Sequence, residues 1–211
     1  MATFVLLPGA GSDSWYWHLV VPDLEEAGHD VVAVDFPVTD DDATFSDYAD
    51  VVVDAIGGRH DVVLVAQSMA GFTAPLVAAR VPVMLMVLLA AMVPRPGESG
   101  GEWWSNTAHA TAPGFDDPIE LFLHDVPDDV TGESEHHVWP QSERVFADPW
   151  PLDAWPDVPT RFLLCRDDRF FPADFQRKVA RERLGIDLTV VPGGHLISLS
   201  NPEGLVTALL A

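Results

Sequence analysis

Nine consecutive apolar residues, VMLMVLLAA at 83–91, set the first limit on the fold. A strand with one wet face alternates apolar and polar side chains, so an unbroken run needs cover on both faces. A central strand of a parallel sheet, with helices packed above and below, has that environment. TFVLL at 3–7, DVVAVDF at 30–36, DVVLVA at 61–66, TRFLLC at 160–165 and DLTVV at 187–191 read as further strands. Helical spacing separates them, at about 14–27, 46–57, 69–80 and 173–184, with a last helix from Pro202. Strand and helix alternate, which predicts an α/β fold: a doubly wound, mostly parallel six-stranded sheet with helices on both faces.

The 211 residues fit one domain, 1–211, large enough to bury its own core. The rhythm fails once. From about 94 to 158 the chain carries five of its seven tryptophans (Trp103, Trp104, Trp139, Trp150, Trp155) and many prolines. That stretch is too long for an ordinary connection, so it predicts an inserted cap or lid. Some of its tryptophans are expected to face a ligand, because small-molecule pockets are mostly apolar.

Charge narrows the function. Acidic residues outnumber basic ones 33 to 11, giving a formal net charge of −22. Such a surface repels phosphate backbones and anionic lipid, which argues against nucleic-acid and membrane partners. Cys165 is the only cysteine, so no intrachain disulfide can form, and its apolar neighbourhood predicts an inert, buried thiol. MATFVLLPGAG reads as a first strand and turn rather than a secretion signal, and no apolar run approaches the ~20 residues that cross a bilayer. A cytoplasmic location is the expectation.

In open α/β sheets, ligands bind beyond the carboxyl ends of the strands. Three reactive residue types fall there: Ser68 after the third strand, Asp167 and Asp168 after the fifth, and His195 after the sixth. A serine hydroxyl becomes a useful nucleophile when a base removes its proton during attack, and histidine is the natural base. A carboxylate would fix the imidazole tautomer and stabilise the imidazolium. The oxyanion needs preorganised donors, and the backbone N–H groups of Met69 and Ala10 are candidates. In the cap, Glu133, Glu135, His136 and His137 lie together, but adjacent histidines do not readily turn to one ion, so a solvated polar stretch is expected there. PGAGSDSW lacks the glycine spacing of phosphate-binding loops. Neither metal nor cofactor is expected.

Four pieces, FVLLPGAGSDSWYW, VLVAQSMAGF, CRDDRFFP and PGGHLISLSNP, resemble the α/β-hydrolase fold family in order and spacing. The similarity is to its small esterase branch, with plant methylesterases and hydroxynitrile lyases, and it is weakest in the cap. The resemblance implies Ser68 as nucleophile, His195 as base, Asp168 rather than Asp167 as acid, and Ala10 and Met69 as the oxyanion hole. It also implies a carboxylesterase-type reaction on a small or medium apolar ester through an acyl-enzyme. The alternatives are a non-catalytic binding protein on the same scaffold and a lyase of the hydroxynitrile type. The lyases place threonine and lysine where Gly9 and Leu196 stand here. Pro8 replaces the usual histidine of the first loop. Ala66 and Ala70 replace the two glycines flanking the nucleophile, with Gly71 still offering close approach one residue later. The partners implied are a small-molecule ester and, at most, a second copy of the chain in a homodimer.

Overall fold

Six strands form where the apolar runs predict them: β1 (Thr3–Leu7), β2 (Asp30–Ala33), β3 (Val62–Gln67), β4 (Leu85–Leu89), β5 (Thr160–Cys165) and β6 (Leu188–Val191). They belong to a computed structural model that describes residues 1–110, 113–114 and 117–211. The strands pair in the order β2-β1-β3-β4-β5-β6, and every pair is parallel. Successive residues of β3 point to opposite faces. Leu64 and Ala66 enter one apolar cluster, while Val63 and Val65 enter the other. Two covered faces therefore explain the unbroken apolar runs.

Nine helices accompany the sheet among the described residues: α1 (Val21–Glu26), α2 (Phe45–Ile56), α3 (Ala74–Ala78), α4 (Gly100–Thr107), α5 (Pro118–Phe122), α6 (Asp128–Ser134), α7 (Ala173–Arg183), α8 (Ile197–Ser200) and α9 (Pro202–Leu210). The start of α2 is held by a capping box between Thr44 and Asp47. None is long and apolar enough to cross a membrane.

Two expected helices are shorter than their spacing suggests. The stretch 14–27 splits into a 3-10 turn (Ser14–Trp17) and α1, and 69–80 splits into a 3-10 turn (Ser68–Gly71) and α3. Pro22 and Pro75 are the cause. Proline lacks an N–H and clashes with the carbonyl four residues earlier, so each is accepted only in a helix's first turn. β2 also stops early: its one strand neighbour among the described residues, β1, ends at Leu7, and the last ladder bond runs from Val34 N to Leu6 O at 3.1 Å.

Between β4 and β5 lie α4, α5 and α6, with 3-10 turns at Glu135–His137 and Glu143–Phe146. Positions 111–112 and 115–116 of the expected cap lie outside the described residues. Trp103 and Trp150 anchor this segment to the core: their Nε1 groups donate to the Val93 and Phe72 carbonyls, both at 3.0 Å. A buried Glu98–Arg183 ion pair ties its start to α7.

Candidate active site

The strand order reverses between β1 and β3, and the crevice expected at such a point opens beyond Leu7 and Gln67. Ser68 follows directly. Its φ is 53°, in the left-handed region that serine adopts only at a cost. The corner is tight on both sides. A Cβ on Gly9 would lie 2.1 Å from Gln67 Oε1, and one on Gly71 would lie 1.9 Å from the Met92 carbonyl oxygen. Ala66 and Ala70 are fully buried, and neither has a positive φ. The close approach falls at 71, so alanine at 66 and 70 leaves the sharp turn intact.

Ser68, His195 and Asp168 are all buried and form one hydrogen-bonded line. His195 Nε2 lies 3.0 Å from Ser68 Oγ, and His195 Nδ1 lies 2.7 Å from Asp168 Oδ2. Because a carboxylate accepts, Nδ1 carries the proton and Nε2 is left to accept from the serine hydroxyl. Asp168 Oδ1 accepts from the Phe170 and Phe171 amides, both at 2.8 Å. Asp167 turns elsewhere. It pairs with Arg166 at 3.0 Å through both oxygens, and its Oδ2 accepts from Gly193 N at 3.0 Å. The Arg166 hydrogen bonds hold the Asp167 carboxyl below its usual range despite partial burial.

Two buried glutamines support the line, and sequence reasoning missed both. Gln67 Nε2 donates to the His195 carbonyl at 3.2 Å. Gln176, on α7, donates to the Phe171 carbonyl at 2.6 Å and reaches Asp168 Oδ2 at 3.4 Å. A glutamine on the apolar side of α7 was the one available signal. Burial pushes the Cys165 thiol well above its ordinary pKa, as expected of an inert cysteine.

A cavity of about 480 Å³ opens over Ser68. Met69 and Ala10 line it, and Met69 sits at the start of a helical turn, where N–H groups have no partner within the helix. Trp104, Trp139, Phe122, Phe146 and Phe170 supply much of the wall. The cap tryptophans are thus divided: Trp104 and Trp139 face the cavity, while Trp103 and Trp150 are core. Among the described residues, no lysine, arginine, aspartate or glutamate lines the cavity.

His137 departs from the solvated reading of the cap histidines. It is half-buried, its Nδ1 lies 2.9 Å from Asp13 Oδ2, and its ring stacks on Trp15 at 4.5 Å. Burial raises the Asp13 carboxyl, but hydrogen bonds from Trp139 and His137 outweigh it and leave the pKa lowered. The physical reason is the pairing of Ser12 with Val138, which brings the 135–139 segment onto the first loop. Among the described residues, no group of histidines, cysteines and carboxylates is arranged to hold a metal.

The sequence profile of the alpha/beta hydrolase family matches residues 4–208. Norfluorocurarine synthase 1 of a Strychnos species is 22% identical over 96% of this chain and 91% of its own. Polyneuridine aldehyde esterase of Rauvolfia serpentina is 23% identical over 98% of this chain and 94% of its own. A crystal structure of polyneuridine aldehyde esterase superposes with a TM-score of 0.83 at 22% identity, covering 100% of this chain and 98% of that one. Methylesterase 7 of Arabidopsis thaliana is 36% identical over 43% of this chain and 40% of its own.

Proposed function

The chain belongs to the alpha/beta hydrolase family, and from that premise we propose that it is a serine hydrolase cleaving neutral carboxylic esters. Ser68 is the nucleophile, His195 the base and then the acid, and Asp168 the orienting carboxylate. The observation that carries this reading is the continuous line Ser68 Oγ–His195 Nε2–His195 Nδ1–Asp168 Oδ2, at 3.0 and 2.7 Å, opening on an apolar cavity. Relatives named as esterases support the reaction class.

As Ser68 Oγ attacks the ester carbonyl, its proton passes to His195 Nε2, and Asp168 steadies the imidazolium. The carbonyl oxygen becomes an oxyanion, accepting from the Met69 and Ala10 N–H groups. Collapse breaks the bond to the alkoxy oxygen, which leaves as the alcohol with the proton from His195. Water then attacks the acyl-enzyme with His195 as base, releasing the acid and restoring Ser68.

The substrate class follows from the walls. Apart from His137 and His195, no basic side chain among the described residues lines the cavity, so a free carboxylate or phosphate would be desolvated there with little compensation. Small or medium neutral esters with apolar groups suit these walls instead. The lyase alternative fits less well, because a side chain at Gly9 would have to displace the Gln67 amide and Leu196, at the cavity, offers no positive charge.

Hydrolysis of p-nitrophenyl butyrate tests the reading. Ser68→Ala should lower kcat by at least ~10⁴-fold and abolish labelling by a fluorophosphonate. Slow turnover unaffected by Ser68→Ala and His195→Ala would instead indicate a binding protein on this scaffold.

A further inference from the structure

The two glycines before His195 have different causes. Gly193 has φ 140°, a conformation that favours glycine. Gly194 does not share it. A Cβ there would lie 2.6 Å from Asp125 Oδ1 and 3.0 Å from His124 Nε2, so a side chain at 194 would have to push these two cap side chains aside. Asp125 Oδ2 accepts the Gly194 N–H at 2.6 Å. Its other oxygen, Oδ1, is buried with no hydrogen-bond partner among the described residues. Oδ1 faces His124 Nε2 at 3.9 Å and the side chain keeps 24% of its surface exposed, so the Gly194 N–H is the short, direct contact that this carboxylate makes with the histidine loop.

The same cap segment rests on the loop that carries Asp168. His124 Nε2 donates to the Asp167 carbonyl at 3.1 Å, and Arg169 donates to the Glu120 carbonyl at 2.7 Å. The Phe122 ring lies 4.7 Å from that of Phe170 and 5.6 Å from that of His195. Beneath the segment the two loops hold each other: Asp167 N donates to the Gly193 carbonyl at 2.9 Å, and Gly193 N donates to Asp167 Oδ2 at 3.0 Å. Residues 120–125 therefore straddle both loops that supply the histidine and the acid.

We propose that Asp125 is a positioning residue for His195: by accepting the Gly194 N–H it fixes the imidazole between Asp168 and Ser68, so the cap's seating sets the geometry of the site. The proposal rests on the catalytic roles given above to Ser68, His195 and Asp168. Asp125 touches neither substrate nor reacting atoms in it. A displacement of the imidazole by a fraction of an ångström lengthens or bends at least one hydrogen bond of the line, and the rate depends steeply on that geometry.

Asp125→Ala, Asp125→Ser and Asp125→Asn test it, with p-nitrophenyl butyrate turnover and the downfield proton resonance of the His195–Asp168 hydrogen bond as readouts. Alanine leaves no acceptor, and serine leaves one too short to reach, so serine carries the test if alanine fails to fold. Both should lower kcat roughly 10- to 100-fold with little change in KM, and should shift or broaden the downfield proton. Asparagine keeps an oxygen for the Gly194 N–H and should restore kcat to within about threefold of wild type. Wild-type kcat and an unchanged resonance in the alanine and serine variants would overturn the proposal, as would a loss confined to KM or an asparagine variant as impaired as alanine. If the wild-type protein neither hydrolyses the ester nor takes the fluorophosphonate, the functional reading fails, and the downfield proton alone decides the role of Asp125.

Discussion

Replacing Gly71 by alanine would put a methyl group 1.9 Å from the Met92 carbonyl oxygen, 3.0 Å from the Met92 carbonyl carbon and 3.1 Å from Ala91 Cβ. Ordinary contact begins at 3.4 Å, so the oxygen stands about 1.5 Å too close. It cannot retreat freely, because Met92 N donates to the Ser68 carbonyl at 2.9 Å and Ala90 N donates to the Leu163 carbonyl at 3.0 Å. Overpacking typically costs about 1–3 kcal/mol, and backbone in the way places this change at the upper end or beyond. In a domain of this size each kcal/mol lowers Tm by about 2–4 °C. Urea unfolding should therefore show a lower midpoint with an unchanged slope. The kcat for p-nitrophenyl butyrate should fall as well, because movement of 91–92 drags the strained serine through the Ser68 carbonyl. Ala70→Gly is the control, with an expected cost of only about 0.5–1 kcal/mol from added backbone freedom and a lost methyl. Gly71→Ala as stable as wild type, or Ala70→Gly the more damaging, would refute the placement of the close contact at 71.

Asp168→Asn should lower kcat by about 10⁴-fold, as loss of the tautomer-fixing carboxylate does in such triads. Asp167→Asn should cost far less, and the reverse ranking in the same ester assay would transfer the acid role to Asp167. Burial raises the Glu98 carboxyl, but hydrogen bonds from Arg183 and Asn106 outweigh it and hold the pKa below its ordinary 4.5. A depressed folded-state pKa contributes stability above the unfolded value, and that stability is lost as pH falls through the folded one. Urea midpoints should thus fall more steeply below about pH 4.5 in wild type than in Glu98→Gln, and parallel curves would sink this account. Trp104→Ala should raise KM for bulky aromatic esters while leaving p-nitrophenyl acetate nearly unchanged, and equal effects on both would remove Trp104 from the walls that contact substrate.

Much of this was legible because the sheet is covered on both faces. Runs such as VVLV at 62–65 and LMVLL at 85–89 can be buried only one way, and their ends place Ser68, Asp168 and His195 without knowledge of tertiary contacts. Helix lengths were less legible, since apolar spacing continues through Pro22 and Pro75 while the backbone does not. Gln67, Asp125 and His137 act through contacts with residues 128, 69 and 124 positions away in the chain. No local pattern carries such contacts. The histidine pair at 136–137 reads as solvated because its partner, Asp13, belongs to the opposite end of the sequence.

The adjacent carboxylates after β5 show how far local chemistry can separate residues that sequence leaves nearly equivalent. Both follow the same strand, and both lie within reach of the loop after β6. Asp168 is buried, and its Oδ1 is occupied by two amides of its own turn, which leaves Oδ2 facing His195. Asp167 takes an arginine in solvent and the Gly193 amide, so it joins the two loops. Exchanging the roles would leave Arg166 without its carboxylate and the Phe170 and Phe171 amides without an acceptor. The arrangement therefore needs two acidic residues in succession: the outer one fixes the distance between the loops, and the inner one uses that distance to hold the imidazole.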